Sequence, residues 1–413
     1  MNPMIMPAIS VVIPVYNAAP FLREALDSLL AQTYSDFEAI AVNDGSTDNS
    51  LEILQEYAAK DARIRILDGP NGGYGKAMNR GMDAAKGKYM AILEPDDYLP
   101  REAYSVLLPL AEDNQLDVVR GAHLSFYYED GRKVYNYIFP KRRPSEVFSP
   151  LNDLPGVFEF GPYIWTGLYN LAFLRERQIR FHESPGASYQ DTGFYFLCAA
   201  YAERYMITES VVYVYRTDNP KSSVNNLGAK RYMLIDEYAY VEEKLKTEPT
   251  LWSKIYKQFI NNRFVGILWV CENLSSDEIP DYLRSVCEKI KDWSLKEVLP
   301  FSRLRYEHML AHGSDYEDKQ MKSYVEKIKM GGFMRVRLSE ERTEYSILGI
   351  PCVSRRRIRV PRRLNDGIVA MADLANEYSI LGIPLIRKKV DGYAIWQKEI
   401  SVPAFFSSHE TNS

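Results

Sequence analysis

Hydrophobic and polar positions switch repeatedly between two periods over the first hundred residues. Ile9–Val15 is a near-continuous apolar run, as expected of a strand buried on both faces. Pro20 then opens a helix in which Phe21, Leu22, Ala25, Leu26, Leu29 and Leu30 recur at helical spacing. A second strand, Phe37–Val42, ends at Asn43-Asp44-Gly45-Ser46, where Ser46 or Thr47 can cap a helix marked by Leu51, Leu54 and Tyr57. Ile64–Leu67 reads as a third strand, residues 71–75 as a turn into a helix reaching Ala85, and Tyr89–Leu93 as a fourth strand. Four such units predict an α/β fold, a mainly parallel sheet flanked by helices on both faces. Ligands of these sheets bind beyond the carboxyl ends of the strands, so Asp44, the Gly-rich turn and Glu94-Pro95-Asp96-Asp97 should converge.

Downstream, residues 105–225 read as mixed strands and helices rich in aromatics. Residues 226–330 turn helical, with breaks at Pro249, Pro280 and Pro300. The last segment, 331–413, holds an internal repeat: Glu344–Pro351 recurs identically as Glu377–Pro384, each copy leading into a basic cluster. Two copies are too few for a self-supporting solenoid and read as a duplicated docking unit.

Composition changes this picture in three places. The 413 residues carry a net charge of −4, which disfavours a basic nucleic-acid binder. Residues 331–413 hold 13 Lys+Arg and 9 Asp+Glu, net +4, so residues 1–330 carry −8. The excess is densest at Arg355–Arg363, with six arginines and no acid. Second, Cys198, Cys271, Cys287 and Cys352 are scattered without a CxxC pair, which argues against zinc or a disulfide framework and fits a reducing compartment. No signal-like N-terminus and no apolar run of the roughly 18 residues that span a bilayer is seen. The expected location is therefore cytoplasmic, or peripheral on the inner face of the cell membrane. Third, 30 tyrosines supply amphipathic surface suited to sugars or nucleotides, and equally to half-buried packing.

Four segments in order carry a resemblance: Ser10-Val11-Val12-Ile13-Pro14-Val15-Tyr16-Asn17, Asn43-Asp44-Gly45-Ser46-Thr47-Asp48, Ala85-Lys86-Gly87-Lys88-Tyr89 and Glu94-Pro95-Asp96-Asp97-Tyr98. Together they resemble the inverting, nucleotide-sugar-dependent glycosyltransferases of family 2, of bacterial polysaccharide type, with the GT-A fold. The resemblance covers roughly residues 8–225. It implies a glycosyltransferase domain over 1–225, with a nucleotide-binding half (1–104) and an acceptor half (105–225).

The resemblance places Pro14, Tyr16 and Asp44 around a uracil and ribose, with Asn17 beside them. Physically, a strand-end carboxylate can accept the imide N–H of uracil and a Tyr ring can stack on it, while Asp44 could instead form an Asx turn. Departure of a diphosphate calls for a divalent metal, Mn²⁺ or Mg²⁺, which takes one or two carboxylates and fills its shell with water and phosphate. Glu94-Pro95-Asp96 departs from the family's Asp-x-Asp in its first acid; Asp96 is the better metal ligand, Glu94 the donor-side group. Asp97 either supports the metal or caps the next helix. In Gly75-Lys76-Ala77-Met78-Asn79-Arg80-Gly81, Met78 replaces the family's Arg, leaving Lys76, Asn79 or Arg80 for the phosphates or for solvent.

Tyr189-Gln190-Asp191 looks like the family's Glu-Asp element with Gln in first position, which makes Asp191 the expected general base and Gln190 an acceptor contact. With one like charge fewer, Asp191 should be less raised than in a paired acidic site. The bland alternative for Asp191 is a helix N-cap. Arg216 and Ser222 fall in a segment resembling a loop over the donor phosphates, or in an ordinary turn. Trp165 either stacks on an acceptor sugar or packs in the core. His308 and His312 lack the Glu of a zinc motif.

The expected partners are a nucleotide sugar, a glycan or lipid-linked acceptor, and an anionic membrane surface for the basic tail. Each Lys or Arg near such a surface contributes about 1 kcal/mol. The alternatives are a non-catalytic nucleotide-sugar-binding or assembly protein and a sugar nucleotidyltransferase. The latter needs a Gly-rich, cationic loop after the first strand, where Tyr16-Asn17-Ala18-Ala19 stands.

Overall fold

The computed structural model describes residues 6–129, 132–139, 145–220, 228–272, a few positions between 274 and 286, and five strands between 334 and 389. The chain divides into two compact units, 1–315 and 316–413.

In the first unit the strands β1 (Ile9–Val15), β2 (Phe37–Asp44), β3 (Ile64–Gly69) and β4 (Tyr89–Ile92) pair in parallel in the order β3-β2-β1-β4. Helices α1 (Ala19–Leu30), α2 (Ser50–Lys60), α3 (Tyr74–Ala84) and α4 (Ala103–Asp113) connect and cover them. Because successive strand residues point to opposite faces, the β1 side chains sort by parity. Ile9, Val11, Ile13 and Val15 pack in one core with Leu22 and Leu26 of α1, Leu54 of α2 and Leu107 of α4. Val12 meets α3 on the other face, close enough that only Gly81 fits there. The helices therefore cover both faces, as the alternating pattern predicts.

Past β4 the sheet changes direction. β7 (Gly167–Asn170) runs antiparallel to β4, β5 (Val118–Glu129) antiparallel to β7, and β8 (Tyr205–Arg216) parallel to β5. β6 (Arg132–Ile138) pairs antiparallel with the later part of β5. Two reversals restore the original polarity, so β8 ends at the same edge as β1, β2 and β4, and β7 begins there. Helices α5 (Leu154–Glu159), α6 (Leu171–Glu176) and α7 (Gln190–Tyr201) complete this half. α8 (Met233–Lys246) and α9 (Pro249–Glu272) pack on α7, with Phe259 of α9 edge-on to Phe196 and Tyr238.

The first expected cap is replaced by another arrangement. α2 begins at Ser50, and neither Ser46 nor Thr47 caps it. Ser46 Oγ accepts the Asn17 N–H, and Thr47 N–H donates to Asn17 Oδ1, so both residues bind the first βα turn instead.

The second unit is an antiparallel sheet of β9 (Met334–Leu338), β10 (Arg342–Ile347), β11 (Ile350–Arg363), β12 (Val369–Ile380) and β13 (Ile383–Lys389), paired in that order. Each copy of the repeat spans the ends of one hairpin, β10–β11 or β12–β13. The register shifts at the same step in both, Tyr345/Ser346 and Tyr378/Ser379. His308, His312 and residues 287–333 lie outside the described residues.

Candidate active site

The carboxyl edge of the sheet collects the acidic residues. Asp44, at the end of β2, is buried, and its two carboxylate oxygens accept the N–H groups of Gly72 (2.8 Å) and Gly73 (2.9 Å). It therefore forms no Asx turn; it anchors the turn that opens α3. Gly73 is required there: its φ is +88°, and a Cβ would meet Gly186 N at 2.9 Å. Tyr16, just past the end of β1, is 53% exposed, whereas Pro14 is buried inside β1 opposite Val42.

Three other expected contacts take structural roles. Asn17, with φ +52°, spends its Oδ1 on the N–H groups of Thr47 (2.7 Å) and Asp48 (3.3 Å), locking the two turns together. Asn79 is buried, pairs with Phe181 through both N–H and C=O, and also donates to Glu183. Arg80 donates to the Asp68 carbonyl. Lys76 is exposed in the first turn of α3.

Glu94, Asp96 and Asp97 follow β4. Glu94 accepts the Tyr74 hydroxyl at 2.6 Å, and its backbone N–H donates to the Tyr213 hydroxyl. Burial, and the neighbouring Asp96 and Asp191 charges, push the Glu94 carboxyl up to about 8 despite the Tyr74 bond. Asp97 does not cap a helix, since α4 begins at Ala103. Its Oδ1 accepts the Arg216 N–H at 2.8 Å, while Oδ2 is buried without a hydrogen-bond partner. Burial and the Asp96 charge raise Asp97 well above the usual carboxylate range. Asp96, partly exposed, accepts the Asn219 amide at 2.8 Å.

Two crowded carboxyls beside a more accessible one make a donor set for a hard divalent cation, which would relieve their mutual repulsion. Among the described residues no three His, Cys, Asp or Glu side chains surround one point, so water or phosphate would have to complete such a shell.

Arg216 is buried at the end of β8. It donates to the Asp96 carbonyl at 2.9 Å and pairs with Glu24 and Asp218, and its guanidinium lies over Phe21 and Phe126. Its bonding thus braces the acidic turn. Ser222 lies outside the described residues.

Asp191 sits in the first turn of α7, whose N-cap is Tyr189, so Asp191 is not the cap. Its Oδ1 accepts the Thr192 N–H at 2.8 Å. Burial raises it to about 6 even with glutamine as its neighbour. Tyr74 links it to the acidic turn: its hydroxyl binds Glu94, and its ring meets Phe181 edge-on. Phe181 in turn stacks on Phe194, one turn along α7 from Asp191, at 4.2 Å. Gln190 is buried with all its polar atoms bonded inside the preceding loop, which leaves none for an acceptor.

Trp165 is half-buried, stacked on Tyr213 (4.3 Å) and Tyr215 (5.3 Å) with His123 edge-on. Behind it lies a residue the pattern did not flag. Arg120 is fully buried between Phe160 and Tyr195 and donates to the carbonyls of Gly161 (3.0 Å) and Tyr163 (2.8 Å). It fixes the segment that presents Trp165. Its only signal was an arginine inside the apolar run Val118–Ala122. Glu237 of α8 was missed as well. It is buried, its Oε2 lies 3.0 Å from His182 Nδ1, and its Oε1 is unpartnered beside Gly193, where a Cβ would come within 1.9 Å. Burial, then the Asp191 charge, raises it to about 9, and burial lowers His182, so both shifts favour the uncharged forms.

A parallel half-sheet continued by antiparallel strands, with an acidic turn after the fourth strand, defines the GT-A class of glycosyltransferase folds. Residues 10–171 match the family described as Glycosyl transferase family 2. The uncharacterized glycosyltransferase YibD of Escherichia coli (strain K12) is 30% identical over 289 residues, which cover 67% of this chain and 81% of YibD. The uncharacterized glycosyltransferase EpsJ of Bacillus subtilis (strain 168) is 35% identical over 221 residues, 52% of this chain and 62% of EpsJ, so that match spans less than two thirds of the relative. The crystal structure of S. aureus TarS 1–349 in complex with UDP-GlcNAc superposes with a TM-score of 0.58 at 20% identity, covering 83% of this chain and 97% of TarS 1–349, which shows the shared fold. The chain belongs to glycosyltransferase family 2, a family of enzymes.

Proposed function

We propose that the protein transfers a sugar from a UDP-sugar to a hydroxyl of a glycan or lipid-linked acceptor, with inversion, in bacterial surface polysaccharide synthesis. One observation carries this reading. A half-buried carboxyl raised to about 6, Asp191, lies close enough to the acidic turn after β4 for its charge to raise Glu94. A base near neutrality beside a donor site suits single displacement.

In that step Asp191 takes the acceptor hydroxyl proton as the oxygen bonds to the anomeric carbon. The bond from that carbon to the diphosphate breaks on the opposite face, and UDP leaves with its electron pair. Tyr16 is placed to stack on the base, and Asp44 shapes the pocket by holding Gly72 and Gly73. Lys76 lies within reach of an anion at the start of α3. Asp96, with Asp97 behind it, would hold Mn²⁺ or Mg²⁺, which when bound neutralises charge on the departing diphosphate. Trp165 offers the face for an acceptor ring. The first βα turn holds Asn17 and lacks the glycine-rich cationic loop of a nucleotidyltransferase, which favours transfer over that rival.

Among the described residues no helix is long and apolar enough to cross a membrane. The basic strand β11 supports reversible attachment to an anionic bilayer. Calorimetric titration with UDP tests the donor and metal parts together. Wild type should bind UDP at least about tenfold more tightly with Mn²⁺ than with chelator, and Asp96→Asn should lose that gain. Equal affinity in all four titrations would overturn the metal assignment.

A further inference from the structure

Gln190 stands where the family resemblance puts a glutamate, and its amide is fully used. It is 1% exposed. Its Oε1 accepts the Ser188 N–H, and its Nε2 donates to Ser184 Oγ (2.8 Å) and the Gly186 carbonyl (3.1 Å), with the Ser184 carbonyl at 3.4 Å. One primary amide thus closes the 184–188 loop onto the first turn of α7. Two facts connect this loop to the site. The Gly186 carbonyl also accepts the Tyr74 N–H at 2.9 Å, at the start of the helix whose turn Asp44 anchors. And Tyr189, between Ser188 and Gln190, holds a left-handed φ of +65°, a conformation a bulky residue keeps only when its surroundings impose it.

We propose that Gln190 is a positioning residue for Asp191, a latch that requires an N–H donor and that couples the glycine turn at the donor side to the first turn of α7. The proposal rests on the reading of Asp191 as the base. Its chemistry is directional. A carboxylate at 190 can accept the Ser188 N–H and a turned Ser184 hydroxyl, but its second oxygen would still face the Gly186 carbonyl, acceptor against acceptor, at a buried position. Glutamate, although it fits the space and restores the family's residue, is therefore a damaging substitution. Methionine fills the same volume without the repulsion but leaves the Ser188 N–H and the Gly186 carbonyl without this partner.

The test compares wild type, Gln190→Glu, Gln190→Met and Asp191→Asn by two readouts. The first is UDP release from whichever of UDP-glucose, UDP-galactose and UDP-N-acetylglucosamine wild type turns over fastest. The second is hydrogen exchange at the Tyr74 amide, which needs no ligand. Gln190→Glu should lower kcat by about 30-fold or more with the donor KM within about threefold, and should speed Tyr74 exchange. Gln190→Met, which removes every latch bond, should also lower kcat and speed Tyr74 exchange. Wild-type kcat in Gln190→Glu or in Gln190→Met, or losses in either with Tyr74 exchange unchanged, would overturn the latch. Asp191→Asn should lose turnover with Tyr74 protection intact. Turnover persisting there would remove Asp191 as the base, an outcome told apart from failure of the latch by the exchange readout.

Discussion

The Tyr74 hydroxyl donates to Glu94 at 2.6 Å, joining the first residue of α3 to the first acid of the turn after β4. Glu94 is half-buried, so loss of this partner leaves its carboxyl less well compensated. Tyr74→Phe should weaken UDP-sugar binding about fivefold, as expected for the loss of one neutral hydrogen bond, with little change in fold. Titration calorimetry against circular dichroism checks both halves; unchanged affinity would detach Glu94 from donor binding.

The state of Asp191 sets an acid limit. A base must be ionised, and burial raises Asp191 to about 6. kcat/KM should be flat above pH 7, half-maximal near pH 6, and should fall about tenfold per pH unit below that. A profile flat down to pH 4.5 would show that a different group accepts the proton.

Glu237 carries a stability signature with a definite sign. Its carboxyl ionises near 4.5 in the unfolded chain and about 9 in the folded one. Folding therefore takes up a proton between those values, and stability contributed by the neutral acid is lost as pH rises through that window. Glu237→Gln keeps the shape and removes the titration. Its thermal midpoint should exceed wild type by a few degrees at pH 8 and match it near pH 5. A midpoint lower at both values would mean that an ionised Glu237 stabilises the fold.

The arginines of β11 make the tail testable in the full chain. Arg355→Ser, Arg356→Ser and Arg357→Ser together should cut sedimentation with phosphatidylserine vesicles about tenfold or more, and leave UDP release in solution unchanged. Sedimentation equal to wild type would assign those arginines elsewhere.

The parallel half of the sheet was legible because its strands are buried on both faces and its helices repeat cleanly, so Ile9–Val15 could be read from pattern alone. The convergence of Asp44, Glu94 and Asp96 followed from strand polarity. The jobs of the neighbours did not. Asn17, Asn79 and Gln190 are polar residues at a ligand-facing edge, and sequence cannot say whether an amide faces substrate or the adjacent loop. Asn79 and Gln190 satisfy backbone groups that burial would otherwise leave unpaired, and Asn17 ties the exposed Thr47 N–H to the first βα turn. Glu237 and Arg120 were invisible for a related reason. One lies on a polar-looking helix and the other in a strand, and only tertiary packing buries them. The tyrosine excess also acquired an address in Tyr74 and Tyr213, whose hydroxyls both bind Glu94.

The central claim is sugar transfer from a UDP donor with Asp191 as base. The most direct test measures UDP release across a panel of UDP-sugars for wild type and Asp191→Asn, with UDP affinity of both proteins measured alongside. The account predicts release from at least one donor by wild type, a loss of about 100-fold or more in the variant, and equal UDP affinity. Equal release by both proteins would contradict it.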